Sequence, residues 1–441
     1  MNKCFMFFSL FLFIHLGLSG QTVNLEEARV LALANSRSLA RYELSIRASV
    51  LDERSQLFSM LPQISANITA SYDYLKDWEF YSPADTFSAG ASLRITQVVF
   101  QGGKSFIERA IRAISTESIR KEALAEYFNV LDSIDNAYYA VLEAAAALEA
   151  EEASLQAAMM GFAIAEIRYS NGMINPGDYL KAMADKETRE NSRNQARRNL
   201  TLSMTRFRNL TGITGTVELE KINFEAYEEV INRLAVITDE DSILLFEQFW
   251  NLLAAANPSL ARAALSSQRA QRSHSLTIRD YSPTINATIF STGINFLNGN
   301  STSGGGITIS GSIPVDFWVM SNRIERSRIT RDLAVIDFTN TNYSLELELQ
   351  NALSNIYSQA GSFLSSRRSL ELTERHFNFV MERYRLSQSS VSDLNEATSL
   401  LITSRNNLNR ASYSFLQSLS KLRSLCALDN EEEIIRILLG G

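Results

Sequence analysis

The residues that could do chemistry are few, and their spacing does not describe a catalytic site. The three histidines, His15, His274 and His376, each stand alone. No grouping of His, Cys, Asp and Glu has metal-ligand spacing, and no nucleophile motif occurs. The glycines of QGGK, which ends at Lys104, lack the spacing and hydroxyl of a phosphate-binding loop. A strand-to-helix junction is their expected use. What remains is a pair of acids, Asp393 and Glu396, three residues apart and so on one face of a helix. The plain reading of such a pair is the first turn of that helix, where the helix dipole favours acids. No enzyme, cofactor or metal centre is expected.

The chain opens with MNKCFMFFSLFLFIHLGLSG. One lysine, an apolar run from Cys4 to Leu18 and the small residues Ser19 and Gly20 make the pattern of a secretory signal peptide, cleaved after Gly20. Its removal leaves Cys426 as the single cysteine, so no intrachain disulfide is expected. No later stretch reaches the ~18 uninterrupted apolar residues of a transmembrane helix. With 441 residues the chain exceeds one ordinary core. Six prolines and nineteen glycines make it rich in regular elements and poor in loops. A net charge of -7 argues against a nucleic-acid partner. An exported chain of this kind is periplasmic, secreted or an outer-membrane barrel.

Residues 63–104 carry the clearest local pattern. Ile64, Ala66, Ile68, Ala70, Tyr72 and Tyr74 alternate with polar residues, and so do Phe87, Ala89, Ala91, Leu93 and Ile95. Alternation of period two puts apolar side chains on one face of a strand and polar ones on the other. Two such runs joined by a loop predict an antiparallel hairpin, each arm long enough for a tilted strand to cross a bilayer. Trp78, Phe80 and Tyr81 in the loop suit a membrane-water interface. A second hairpin is expected from Ile285, Ala287 and Ile289, then Ile307, Ile309, Ile313 and Val315, with a bulge or membrane rim at Phe290.

The sequence also repeats itself. Pro283 follows Pro62 by 221 residues, whereas Asp393 follows Asp178, and Arg423 follows Arg208, by 215. A shorter second hairpin loop accounts for the change. A constant offset broken at a loop marks an internal duplication. Each half reads helix, strand, loop, strand, long helix, tight turn, helix. Asn24 and Glu27 predict a capping box, residues 36–60 a helix stopped by Pro62, and residues 104–168 a helix on the order of 100 Å long. The second long helix is expected from about Ser321. Leu349, Ile356, Phe363, Leu370, Phe377 and Tyr384 recur every seven residues along it, and Leu394, Leu401, Leu408, Phe415 and Leu422 along its return. Beside the latter runs a row of small residues, Ala397, Ser404, Ala411 and Ser418. Such heptads favour close coiled-coil packing. The expected divisions are a leader at 1–20, repeats at 21–214 and 243–427, an acidic ordered connector at 215–242, and a peripheral tail at 428–441. The arginines Arg189, Arg193, Arg197 and Arg198 are expected on a solvated face.

Four amphipathic strands cannot close a barrel, since about eight is the working minimum, and an open sheet in lipid leaves unpaired edges. Other copies must complete it. Two would give eight strands and three would give twelve; polar inner faces suit a water-filled lumen and favour three.

Together these features resemble the TolC family of outer-membrane efflux ducts over essentially the whole mature chain. SLRITQVVFQGGK, residues 92–104, resembles the family's S-x-x-x-Q-P-L-F-x-G-G segment. RYSNGMINPGDYL and RYRLSQSSVSDLNEAT resemble its R-[YF]-x-x-G-x-x-x-x-x-D-[VL]-L turns. Val99 stands where proline is usual, Ser387 where glycine is usual, and Pro176 precedes Gly177 and Asp178. The resemblance implies a mainly α fold with a membrane β-barrel: a homotrimer with a shared twelve-stranded barrel in outer-membrane lipid, and an antiparallel coiled-coil α-barrel projecting into the periplasm. The connector would then lie at the equatorial region. A periplasmic adaptor and an inner-membrane pump would dock at the far end. It also implies roles for residues. Asp393 and Glu396 would form an acidic ring at the periplasmic constriction, which repels itself and attracts cations. Tyr384 would help to hold the constriction shut, with Asp178 as the weaker counterpart in the first repeat. The turns Asn171-Gly172-Met173 and Leu386-Ser387-Gln388 would touch the adaptor. The rival reading is an exported coiled-coil stalk or adhesin without a channel. Within transport, the sequence does not separate this from a duct for type I protein secretion or for metal export, although the absence of a methionine or histidine cluster weighs against metal, and the exported substrate belongs to the pump.

Overall fold

The computed structural model describes residues 22–74, 85–215, 217–297 and 300–440. The expected leader and the aromatic residues of the first hairpin loop lie outside the described residues. In chain order the elements are β1 (Thr22–Val23), α1 (Leu25–Asn35), α2 (Arg37–Phe58), β2 (Gln63–Tyr74), β3 (Asp85–Phe100), α3 (Lys104–Ser170), α4 (Pro176–Thr211), β4 (Glu218–Leu219), a 3-10 turn (Phe224–Tyr227), α5 (Glu228–Leu234), α6 (Asp239–Ala256), α7 (Pro258–Arg279), β5 (Thr284–Leu297), β6 (Asn300–Ser312), α8 (Phe317–Arg385), α9 (Val391–Cys426) and α10 (Glu431–Leu438). Among the described residues no helix is long and apolar enough to cross a membrane. The chain forms two compact units. One comprises residues 40–124 and 258–345; the other comprises residues 125–257, 346–441 and the described part of 1–39.

The first unit is built on one antiparallel sheet, in the order β2-β3-β5-β6. Its register lines up the alternation of all four strands. Ile64 faces Ile95, Ile95 faces Ile289, and Ile289 faces Ile307, so one isoleucine row crosses the apolar face. The neighbouring row, on the opposite face, is Gln63, Thr96, Thr288 and Thr308, with the Thr96 and Thr288 hydroxyls 3.5 Å apart. The isoleucines are not buried within the chain: Ile64, Ile289 and Ile307 are exposed. The expected bulge falls beyond Phe290, between Thr292 and Asn295. β6 stops at Ser312, before Ile313 and Val315, because Pro314 has no N–H for a ladder. The QGGK glycines turn β3 into α3. Gly102 and Gly103 have φ of 63° and 75°, Arg279 Nη1 donates to the Gly102 carbonyl at 2.8 Å, and Lys104 pairs with Asp280 at 2.5 Å.

The second unit is helical, and the heptad rows are its core. Leu349, Ile356, Phe363 and Tyr384 are buried along α8; Leu394, Leu401, Phe415 and Leu422 are buried along α9, as are Ala397, Ser404, Ala411 and Ser418. The small residues let α9 approach its neighbours closely, as heptad packing requires. The duplication is visible in hydrogen bonds. Asn35 Nδ2 donates to the Leu210 carbonyl at 3.3 Å, and Asn257 Nδ2 to the Leu425 carbonyl, 215 residues later, at 2.8 Å. Gly212 and Ala427, also 215 apart, end α4 and α9 in the left-handed conformation. Asn24 and Glu27 form the expected capping box on α1.

An ionic centre that the sequence did not announce lies within this unit. Asp135 on α3 is fully buried. Its Oδ1 accepts from Arg29 Nε at 2.7 Å. Its Oδ2 accepts from Arg29 Nη2 at 2.8 Å, Ser420 Oγ at 2.8 Å and Arg423 Nη2 at 2.7 Å. Bidentate arginine contacts of this kind are among the strong hydrogen bonds. Arg29 also pairs with Glu26 and, at 3.7 Å, with Glu431, whose carboxylate accepts from the Tyr227 hydroxyl at 3.0 Å. Glu431 opens α10, and Ile434 and Leu438, one turn apart, are completely buried. The tail is therefore core rather than peripheral: its apolar stripe has a surface to cover and its acid has an arginine to meet.

Candidate functional site

The candidate site comprises the two tips of the helical unit, where α3 turns into α4 and α8 into α9. Local sequence builds both turns the same way. Asn175 caps α4, its Oδ1 accepting from the Asp178 amide at 2.8 Å. Ser390 caps α9, its hydroxyl accepting from the Asp393 amide at 3.1 Å, while Asp393 accepts from the Ser390 amide at 2.9 Å. Upstream, the Met173 amide donates to the Arg168 carbonyl and the Gln388 amide to the Arg383 carbonyl, each at 2.8 Å. Gly172 has φ of 73°, and Ser387, where the related turns carry glycine, has φ of 64°. The substitution at 387 thus leaves the turn geometry unchanged and places a side chain in a region that costs an L-residue roughly 1–2 kcal/mol. Ser387→Gly should add up to about 1 kcal/mol of stability, read as a higher midpoint of thermal unfolding. Gly172→Ala, with nothing within 4 Å of the added methyl, should lower it by about the same amount.

A latch joins the two tips. Tyr384 is fully buried near the end of α8. Its hydroxyl donates to the Gly161 carbonyl of α3 at 3.3 Å. The Arg168 guanidinium lies 4.6 Å from its ring centroid and donates to its carbonyl. Burial raises the pKa of the Tyr384 hydroxyl; Arg168 opposes the rise and Asp178 adds to it. Ala157, Ala165, Val380, Met381, Leu394 and Ala397 pack around it. A methyl on Gly161 would come within 3.0 Å of Leu394, so the glycine permits the close approach. Arg168 is the functional candidate the sequence reading passed over; its signal was its place in RYSNG, opposite Arg383 of RYRLS.

The structure separates the remaining candidates by face. Asp178 is half-buried beside the latch, whereas Asp393 and Glu396 stand on the exposed side of α9, opposite buried Leu394 and Ala397. Hydrogen bonds from the Ser390 amide and the Ser389 and Ser390 hydroxyls hold the Asp393 carboxyl below its ordinary pKa, so the helix-start reading of this acid holds. Asn171, Gly172, Met173, Leu386, Ser387 and Gln388 are all exposed, with Met173 and Leu386 presenting apolar side chains to solvent. Of the arginine run on α4, Arg189 departs from the solvated face. It is tucked against α9, pairing with Asp185 at 3.2 Å and donating to Ser399 at 2.6 Å. Between α3, α8 and α9 runs an open groove of about 590 Å³. Its floor includes Met160, Phe377, Met381 and Leu401, and its rim carries the pairs Glu374–Arg405 and Glu382–Arg385. No group of three or more His, Cys, Asp or Glu able to hold a metal is found among the described residues.

The chain thus combines a sheet that has one apolar and one polar face with long paired helices and a duplicated turn. The chain belongs to the outer membrane efflux protein family, whose sequence profile matches residues 28–213 and 250–427. It is thus an efflux duct of the outer membrane, with its helical part on the periplasmic side, and not an enzyme. Solved structures share the fold. A membrane protein from Pseudomonas aeruginosa superposes with a TM-score of 0.77 at 15% identity, over 92% of this chain and 91% of that one. The outer membrane channel CmeC of Campylobacter jejuni gives 0.74 at 14%, over 94% and 89%. The outer membrane protein VceC of Vibrio cholerae gives 0.74 at 14%, over 91% and 96%. No curated protein matches the chain in sequence.

Proposed function

We propose that three copies of this chain form a passive duct that receives its cargo from an inner-membrane pump through a periplasmic adaptor. The observation that carries this reading is the sheet. Its order, β2-β3-β5-β6, leaves β2 and β6 as edges, and three successive antiparallel pairings make β6 run opposite to β2. The free edge of one copy therefore suits the other free edge of the next. Three copies close twelve strands with every neighbour antiparallel, the isoleucine rows in lipid and the threonine rows in water, and no edge left. Extraction in mild detergent should yield a membrane-bound particle of three 49.4 kDa chains or their processed form. A soluble monomer would refute the shared barrel and favour the stalk.

At the tips, Asp393 and Glu396 supply an acidic ring and the Tyr384–Arg168 latch keeps it narrow. Met173 and Leu386 offer the adaptor apolar contacts, and the groove beside them suits an amphipathic helix. Asp393→Asn with Glu396→Gln removes the charges while keeping a capping acceptor. In a planar bilayer this pair should weaken block by polyvalent cations several-fold. Tyr384→Phe with Arg168→Gln should raise single-channel conductance. Unchanged block and conductance would remove these residues from the constriction.

A further inference from the structure

We infer that the barrel carries its own anion-binding girdle, formed by Arg94 and Phe290. The inference rests on the trimeric barrel proposed above. Arg94 is the only charged residue in strand segments 63–72, 89–100, 284–291 and 303–312. It is exposed and lies on the polar face, in register with Ser65 on one side and Phe290 on the other. The acid of β2, Asp73, pairs in backbone register with Thr86. Thr86 lies eight residues from Arg94 along β3, roughly 27 Å at 3.4 Å per residue. No described strand residue can therefore neutralise the guanidinium.

Phe290 breaks the alternation of residues 284–291 of β5, and it does so directly opposite Arg94. Its ring lies across Gly306 of β6: a methyl there would stand 3.1 Å from Phe290 Cζ. Glycine at 306 is the space in which the ring lies flat against the wall. One level of the polar face thus presents, from strand to strand, a serine hydroxyl, a cation, an aromatic ring and bare backbone.

Twelve strands about 4.8 Å apart and tilted about 40° enclose a backbone diameter of about 24 Å. Side chains reaching inward from that wall leave the axis within about one Debye length, ~8 Å, of three guanidinium groups. Three like charges at one level raise the local concentration of anions, and three aromatic faces beside them favour anions with a flat apolar body. The ligand class is therefore a polyvalent anion with aromatic or amphiphilic character.

The test uses the detergent-solubilised full-length protein and the planar trisulfonated dye 8-hydroxypyrene-1,3,6-trisulfonate, read by fluorescence anisotropy, with the native mass measured on the same samples. The dye should bind a three-chain particle with an affinity that falls as salt is added. Arg94→Gln should weaken it at least tenfold, Phe290→Ala several-fold, and Arg94→Lys should retain most of it. Arg94→Glu should exchange dye binding for binding of hexaamminecobalt(III). Equal dye affinity in wild type and Arg94→Gln, both trimeric, would overturn the girdle and leave the duct standing. A monomeric native mass would overturn both.

Discussion

Asp135→Ala should cost about 3–5 kcal/mol of stability, the range for removing one partner of a buried ion pair. The carboxylate is fully buried and takes four hydrogen bonds, two from Arg29, one from Arg423 and one from Ser420. Alanine would strand Arg423, which is itself 1% exposed and has no other ion pair among the described residues. Arg29 would keep Glu26 and Glu431. The double variant Asp135→Leu with Arg423→Met removes the stranded charge together with its partner. It should therefore be more stable than Asp135→Ala alone, by about 1–3 kcal/mol, because contacting residues are not additive. Denaturant midpoints of the detergent-extracted protein would decide. An Asp135→Ala variant within 1 kcal/mol of wild type would mean that water reaches this centre freely.

The second large effect separates two neighbouring positions of one strand. Ile289 lies in the isoleucine row and Thr288 in the threonine row. An arginine on the lipid face of an outer-membrane barrel costs about 2–4 kcal/mol at mid-depth. Ile289→Arg should therefore deplete the membrane-inserted protein, with the penalty paid once per copy. Thr288→Arg points the same charge into water and should insert normally. Both are read from the amount of protein in the outer-membrane fraction and its native mass. Equal insertion of the two variants would mean that neither face of the sheet meets lipid.

Local pattern made most of this fold legible. The alternation of Ile64 to Tyr74 and of Ile285 to Ile289 marked strands, and the seven-residue rows ending at Tyr384 and Leu422 marked the helical core, because each signal is complete within one element. The duplication gave the turns, since Asp178 and Asp393 keep their offset. What was illegible lies between elements. Arg29, Asp135 and Arg423 are 106 and 288 residues apart in their pairings, and a single acid in a long helix looks like any solvated one. The tail failed for a different reason. Ile434 and Leu438 have the i, i+4 spacing of a buried stripe, but three glutamates, Glu431 to Glu433, stand directly before them. At the site, Asp393 and Glu396 showed their shared face through spacing. The Arg168 contact with Tyr384 spans 216 residues and needed the fold.

The centre at Asp135 also sets an order of events in biogenesis. A chain that leaves the ribosome and the export machinery from its N-terminus presents α1 and α3 long before α9 and α10. Arg29 can find Asp135 once both have emerged, but Ser420 and Arg423 follow Asp135 by 285 and 288 residues. Until then the apolar faces of two helices and an incompletely paired buried acid have no permanent cover. Such high contact order slows folding and prolongs exposure to aggregation. Residues 420–431 therefore complete this centre, and nascent chains truncated before residue 420 should depend on periplasmic chaperones far more than chains that include them.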